Sequence, residues 1–196
     1  MKTVSTACRL ATRPVLAAAF LLTLPLAGMH VTDQVFWTLS DFVIMGVLVV
    51  GTGFLFEIAL VGIDRIAHRA AAGLALATAF LLIWVNGAVG IIGSAGNDAN
   101  LMYGRVLAVG IVCGLVARFE PRGMARALFA TALAQALVAT VAIVAEAGAP
   151  ASGPLELMAL NGVFVVLWGG SALLFLLAAR EHAHAASGAP PRARWS

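Results

Sequence analysis

Charged side chains are scarce in this chain. Only 11% of its 196 residues are Asp, Glu, Lys or Arg, whereas 62% are hydrophobic and the mean hydropathy is +1.00. A soluble domain carries about 25% charged residues, so this deficit argues against an ordinary soluble core and indicates a bundle immersed in lipid. The net charge of +3 is spread over predicted helix ends rather than gathered in one patch, so we expect no nucleic-acid partner.

Chemically reactive side chains are equally sparse. The two cysteines, Cys8 and Cys113, lie far apart, and neither belongs to a CxxC or metal-spaced pair. His182 and His184 have a suitable spacing for a metal but lie in a polar tail without further ligands. The chain lacks a paired nucleophile and base, and it lacks a phosphate-binding loop. We therefore expect no metal and no cofactor, and an intramembrane enzyme is the weakest functional hypothesis.

What the chain does have is a series of long apolar runs, which predict an all-α polytopic transmembrane helix bundle. A basic tail (1–14) precedes the bundle, and a polar tail with two prolines (180–196), expected to be disordered, follows it. The first run resembles the core of a signal peptide with a poor cleavage site. It is either a retained helix, giving six spans, or a cleaved signal, leaving five. The predicted spans are 15–29, 42–63, 70–94, 101–117, 124–145 and 157–179.

The third predicted span shows the clearest face pattern. At 100° per residue, one arc of about 120° collects its small and mildly polar residues, whereas Leu, Ile and Val occupy the other side. Such a face is typical of a helix pressed closely against other helices in lipid. The residues on this arc are Asn86, Gly87, Gly90, Gly93 and Ser94.

Charge asymmetry predicts the orientation. Six spans place both termini on one side, together with eleven of the twelve basic residues, and leave only Arg105 opposite. By the positive-inside rule that side is cytoplasmic. A rim of arginines there would attract anionic lipid at about 1 kcal/mol per residue. The predicted rim consists of Arg65, Arg69, Arg118, Arg122 and Arg126.

Four stretches resemble a group of small bacterial polytopic inner-membrane proteins that are usually described only as hypothetical. The stretches are Trp37 to Phe42, Trp84 to Gly93, Asn100 to Tyr103, and Arg118 to Ala136. The turn at 96–98 departs from the more acidic, proline-containing turn expected of that group. The resemblance implies a bacterial inner (plasma) membrane location and brings no activity, cofactor or catalytic residue with it.

Ionised side chains inside the predicted spans need a reason, because a charge at mid-span costs about 2.5–3.5 kcal/mol on insertion scales. Glu57 shares its helix face with glycines and should point into the bundle. It is either a protonatable or cation-binding carboxylate, or a carboxyl group hydrogen-bonded between helices near the cytoplasmic surface. Arg105 is either a partner for an anion in the outer half of the bundle, or an arginine that reaches the outer surface to pair with an acid.

Three amides complete the set of candidate residues. Gln135 is at mid-span in the fifth predicted helix, and Asn86 and Asn161 lie in the outer halves of the third and sixth. Each could line a polar path, but hydrogen bonding between packed helices is the more common role.

Two hypotheses on function stand about equal. The first is a small transporter or ion-conducting protein that uses the buried carboxylate of Glu57. The second is a structural or accessory subunit that packs against another membrane protein, or against a second copy, through its Gly and Ala faces. In both, the lipid bilayer is a partner, and anionic lipid is a candidate ligand of the arginine rim.

Overall fold

The computed structural model describes residues 2–31, 37–61, 63 and 65–187, with side chains from Thr12 onward except at 182 and 184–187. All regular structure within these residues is helical, which confirms the all-α prediction. A short 3₁₀ helix, Asp98–Leu101, precedes the fourth α-helix. The α-helices are α1 (Lys2–Val31), α2 (Leu39–Ala59), α3 (Ile66–Ala88), α4 (Met102–Val116), α5 (Pro121–Val144) and α6 (Pro154–Ser187).

Six helical segments of the described chain are long and apolar enough to cross a membrane, so the predicted six-span bundle is confirmed. Each is at least 19 residues long, close to the ~20 residues that a hydrocarbon core requires. The segments are Thr12–Val31, Leu39–Ala59, Ile66–Ala88, Asp98–Val116, Pro121–Val144 and Pro154–Glu181.

The helices form a four-helix core and a peripheral hairpin. Helix α6 packs between α3 and α5, and α4 packs on α5. Helix α4 approaches α3 only loosely, so the ring of four helices is incomplete on that side. Helices α1 and α2 pack on each other, and α2 joins them to α3. The core of the protein therefore lies among α3, α4, α5 and α6, where Leu82, Val106, Leu128, Phe164 and Trp168 are buried.

Small residues permit the closest helix contacts. A Cβ atom added to Gly110 of α4 would lie 3.0 Å from Oγ1 of Thr131 on α5. Ser171 of α6 donates a 2.7 Å hydrogen bond to the carbonyl of Ala71 on α3. Short contacts of this kind commonly hold helices together in lipid, because burial of apolar surface there contributes little free energy of association.

The two ends of the bundle differ in chemistry. We call one the arginine-rich end, because the predicted rim residues lie there; the opposite loop end carries residues 89–100 and 145–153. The loops of that end are joined, since Asn97 Nδ2 donates to the Ala147 carbonyl at 2.7 Å and Gly93 N donates to Ser152 Oγ at 3.2 Å.

Helix α3 is shorter than the sequence predicted. It ends at Ala88, not at Ser94, because Gly90 and Gly93 adopt φ values of +76° and +70°, which a helix cannot contain. A Cβ atom on Gly90 would lie 2.4 Å from the carbonyl carbon of Ser94. The predicted small-residue face is therefore wrong beyond Gly87, since its last three members lie in the loop.

The two chain termini also differ from prediction. Helix α1 begins at Lys2, within the predicted basic tail, and α6 continues to Ser187, so residues 180–187 are helical rather than disordered. The sequence Arg180 to Ser187 holds no glycine or proline, and Gly188 is the first helix breaker it meets. The rest of the predicted tail, 188–196, lies outside the described residues.

Candidate functional site: a buried amide cluster

Two of the predicted amides meet in the core. Asn161 lies two turns into α6, and its Nδ2 donates a 2.9 Å hydrogen bond to the carbonyl of Leu157 one turn earlier. That bond fixes the carboxamide, so Oδ1 faces α5 and accepts a 2.8 Å hydrogen bond from Nε2 of Gln135. The amide pair thus joins α5 to α6 inside the bundle.

A tyrosine completes the cluster. The hydroxyl of Tyr103, in the first turn of α4, donates to the same Asn161 Oδ1 at 3.0 Å. Relative exposures are 1% for Tyr103, 0% for Gln135 and 1% for Asn161. We call these three residues the amide cluster; it links three of the four core helices through a single acceptor atom.

Gln135 is left with an unsatisfied atom. Because Asn161 must accept, Gln135 must present its amide nitrogen, and its Oε1 is then buried without a hydrogen-bond donor. The indole Nε1 of Trp168 is also buried without a partner. A buried polar group without a partner costs about 1–3 kcal/mol, so the cluster retains capacity for one further donor.

Two grooves flank the cluster. The α5–α6 groove, of about 310 Å³, is lined by Asn161 together with Thr140, Met158 and Gly162. The α3–α4 groove, also of about 310 Å³, is lined by Tyr103. The amide cluster is therefore part of the wall between two grooves that open on different sides of the core.

Asn86, the third predicted amide, lies outside the cluster. It occupies the last turn of α3, and its Nδ2 donates to the backbone carbonyl of Asn100 at 3.3 Å. Its Oδ1 is buried and has no partner. Asn86 and Tyr103 both line the α3–α4 groove, which is the nearest connection between Asn86 and the cluster.

Asn100 organises the loop beside that groove. Its Oδ1 accepts from the backbone nitrogens of Ile91 and Ile92 at 3.1 and 2.9 Å. Its Nδ2 donates to the carbonyls of Ile92 and Ser94 at 3.1 and 2.7 Å. One side chain thereby bonds four backbone groups of the loop that follows α3, which explains how this loop folds back against the bundle with both isoleucines fully buried.

Glu57 lies elsewhere, between α1 and α2. Its Oε1 is 3.5 Å from Nη1 of Arg13, and the two side chains are 20% and 80% exposed respectively. The glycine face that it shares does contact a neighbouring helix, since a Cβ atom on Gly53 would lie 2.8 Å from Cβ of Pro14. That neighbour is α1, so the carboxylate faces the hairpin interface and not the amide cluster.

Arg105 is on the exposed side of α4 near the loop end. Within the described residues Arg105 takes part in no ion pair, so the alternative of an arginine that pairs with Asp98, Asp41 or Glu156 at the outer surface is not formed. The five candidates therefore occupy four places: Gln135 and Asn161 meet, Asn86 is across the α3–α4 groove, Glu57 lies in the α1–α2 hairpin, and Arg105 lies on the exposed side of α4.

The predicted rim residues lie at the arginine-rich end with different partners. Arg65 is 4.0 Å from Glu181 of α6, and Arg69 donates to the Ile63 carbonyl at 3.3 Å. Arg118, Arg122 and Arg126 are exposed. Arg122 and Glu120 line a shallow groove of about 380 Å³ against α6.

Sequence reasoning missed Tyr103 and Asn100. Tyr103 is the only tyrosine of the chain, and a tyrosine one turn inside a span requires a partner for its hydroxyl, which was a usable signal. Asn100 gave no such signal, because it reads as an ordinary turn residue. Groups of three or more His, Cys, Asp or Glu in metal-binding arrangement are absent from the described residues; the side chains of His182 and His184 lie outside them.

Comparison with known proteins gives no relative: no protein family, characterised protein or solved structure matches this chain. The resemblance to small bacterial inner-membrane proteins stays a prediction. Chemically, the amide cluster offers neutral hydrogen-bonding groups, which can hold helices together or bind a neutral or cationic donor.

Proposed function

We propose that this protein is a structural or accessory subunit of a membrane complex. The observation that supports it is the use of the buried amides: Gln135 and Tyr103 both donate to Asn161 Oδ1, which links three helices. Polar groups that are hydrogen-bonded to one another hold the helices in one arrangement. A rigid arrangement of this kind suits a subunit that packs against another membrane protein.

The position of Glu57 supports the same proposal. A coupling carboxylate of a transporter is expected beside the other polar groups of a pathway. Glu57 instead pairs with Arg13 at 3.5 Å in the peripheral hairpin, and α2 contributes nothing to the amide cluster.

The second candidate is a small transporter or ion-conducting protein, favoured by one observation. Gln135 Oε1 is buried in the core without a donor, which a polar guest passing between the helices would satisfy. On this candidate the path runs along the amide cluster, with Gln135 rather than Glu57 as its central group.

One experiment separates the two. The wild-type protein, Gln135→Leu and Glu57→Gln are reconstituted in liposomes, and ion and proton flux are measured beside folded yield in detergent. If the protein is a structural subunit, we expect no flux above that of protein-free liposomes. Cross-linking in membranes should then recover a partner protein in stoichiometric amount. Flux in the wild type that Gln135→Leu abolishes would establish the transporter instead.

We also propose a bacterial inner membrane location with both termini cytoplasmic, supported by the arginine-rich end. In a background carrying Cys8→Ala and Cys113→Ala, the exposed positions Ala95 and Arg122 are each replaced by cysteine. A membrane-impermeant maleimide should label Ala95→Cys on intact spheroplasts and Arg122→Cys only after permeabilisation. The reverse pattern would invert the topology.

A further inference from the structure

The α3–α4 groove is distinguished by its walls. Leu82 and Ile83 of α3 face Leu107 of α4, and the groove ends at Leu101, which is 75% exposed. Its volume of about 310 Å³ lies at the lower end of the ~300–1,000 Å³ typical of ligand pockets. The apolar walls suit a hydrocarbon chain.

Two glycines keep the groove open. A Cβ atom added to Gly87 or to Gly104 would meet nothing within 4 Å, so the space beside both helices is empty of protein. Helices α3 and α4 also contact each other less than any other neighbouring pair of core helices. The groove is therefore a gap in the ring of four helices and not a by-product of tight packing.

One residue in the wall of this groove has a hydrogen-bond acceptor without a donor. Asn86 lines the groove, and its Oδ1 is buried without a donor. A flipped carboxamide would set Oδ1 against the Asn100 carbonyl that Nδ2 now reaches at 3.3 Å, so the orientation is fixed. Because Oδ1 is buried, the Asn86 side chain must rotate towards the groove before an N–H or O–H group there can donate to it.

Two charged residues, Asp98 and Arg105, lie within four residues of the groove-lining Leu101 along the chain. Side chains three apart eclipse in a 3₁₀ helix, so Asp98 lies above Leu101, the last groove residue of Asp98–Leu101. Arg105 follows Leu101 by four residues, and helical side chains lean towards the N-terminus, here the loop end. Asp98 and Arg105 are both exposed and form no ion pair in the described chain.

We propose that the α3–α4 groove binds a zwitterionic phospholipid with a primary ammonium head group, namely phosphatidylethanolamine. One acyl chain lies between Leu82 and Leu107, the ammonium donates to Asn86 Oδ1 near the Asp98 carboxylate, and the phosphate lies towards Arg105. The proposal does not depend on either candidate function, because lipid binding here requires neither an assembly partner nor flux, although Tyr103 of the amide cluster lines the same groove.

Two other phospholipids share part of this chemistry and serve as comparisons. Phosphatidylcholine carries the same charges but has no N–H to donate. Phosphatidylglycerol has hydroxyl donors, but it is anionic and carries no cationic group that could lie near the Asp98 carboxylate. The ammonium with three donors is the head group that fits both the acceptor and the acid.

The test is lipid retention by the purified full-length chain. The delipidated protein in detergent is mixed with each of the three lipids carrying identical acyl chains, and bound lipid is counted by native mass spectrometry. We expect phosphatidylethanolamine to bind about tenfold more tightly than phosphatidylcholine, as for a charge-assisted hydrogen bond. Equal binding of these two lipids, or preference for phosphatidylglycerol, would overturn the proposal.

Matched variants locate the site. Gly104→Leu fills the α3–α4 groove and should abolish the selective binding, whereas Gly162→Leu fills the α5–α6 groove, of the same volume and with equally open space at its glycine, and should leave it intact. Asn86→Leu should make the two zwitterionic lipids bind equally. If Asn86→Leu does not fold, the glycine pair decides alone; selectivity that survives Gly104→Leu, or is lost equally in Gly162→Leu, refutes the assignment.

Discussion

The four-helix core and the α1–α2 hairpin are built from equally apolar sequence and are held in different ways. In the most apolar window of α6, 39% of residues are buried within the protein, against 11% in α1 and in α2. The core has side-chain hydrogen bonds between helices, as between Gln135 and Asn161. Among its described side chains the hairpin has the Arg13–Glu57 ion pair, glycine contacts at Gly46 and Gly53, and an aromatic group. Hydropathy marks a span; small and polar residues decide how firmly it is held.

An aromatic group helps to attach the hairpin to the core. Trp37 precedes α2 and packs on Phe42 of α2 at 5.2 Å between ring centroids, and on Trp84 of α3 at 5.5 Å. Trp84 in turn stacks on Phe80 at 6.4 Å. These rings lie near the loop end, where aromatic side chains are favoured at a membrane interface.

The largest effect is expected from Asn161→Leu in the core. It leaves the Tyr103 hydroxyl and the Gln135 amide without their shared acceptor and should lower the free energy of unfolding by about 2–4 kcal/mol. Unfolding by SDS in mixed micelles, followed by circular dichroism, measures it. Thr140→Val, which removes a polar group on the same groove outside the cluster, is the control and should change little.

A second substitution sharpens this result. Adding Gln135→Leu to Asn161→Leu removes the stranded amide along with its partner, so the double variant should be no less stable than Asn161→Leu alone. Additive losses from the two changes would mean that the hydrogen bond contributes nothing and that shape alone matters.

An intermediate effect is expected from Gly53→Leu in the hairpin. The new side chain must displace Pro14, at a cost of about 1–3 kcal/mol for overpacking, and should separate α1 from α2. Cysteines at Leu22 and Gly46, where a Cβ on Gly46 would lie 3.6 Å from Leu22 Cδ1, report the separation as a lower disulfide yield. In Gly51→Leu, which enters open space, the yield should be unchanged.

The Gly53→Leu variant also tests the division into two regions. The core should keep its resistance to SDS while the hairpin opens. Loss of both together would mean that the hairpin and the core unfold as one unit.

The smallest effect is expected from Glu57→Gln. The Arg13 side chain is 80% exposed, and an exposed ion pair contributes about 0.2–1 kcal/mol. Folded yield and SDS resistance should therefore stay close to wild type. A collapse in yield would show that Glu57 holds the hairpin more firmly than its geometry indicates.

Much of this architecture could be predicted from sequence, because it depends on local composition. Apolar runs predicted the six spans, and the positions of the arginines predicted the two unlike ends. The end of α3 could not be predicted, since Asn100 stabilises the loop from a distance. The hydrogen-bond partners of the amides could not be predicted either. They depend on the order of the helices around the core, which places α6 between α3 and α5, and the spacing of residues in the sequence does not reveal that order.

The central position of α6 has a consequence for biogenesis. Among the described helices it is the last to leave the ribosome, yet both α3 and α5 pack against it. Until α6 enters the membrane, Tyr103 and Gln135 lack the acceptor that Asn161 supplies. The arrival of one asparagine therefore pairs the Tyr103 hydroxyl and the Gln135 amide nitrogen together and joins α4, α5 and α6 at one atom.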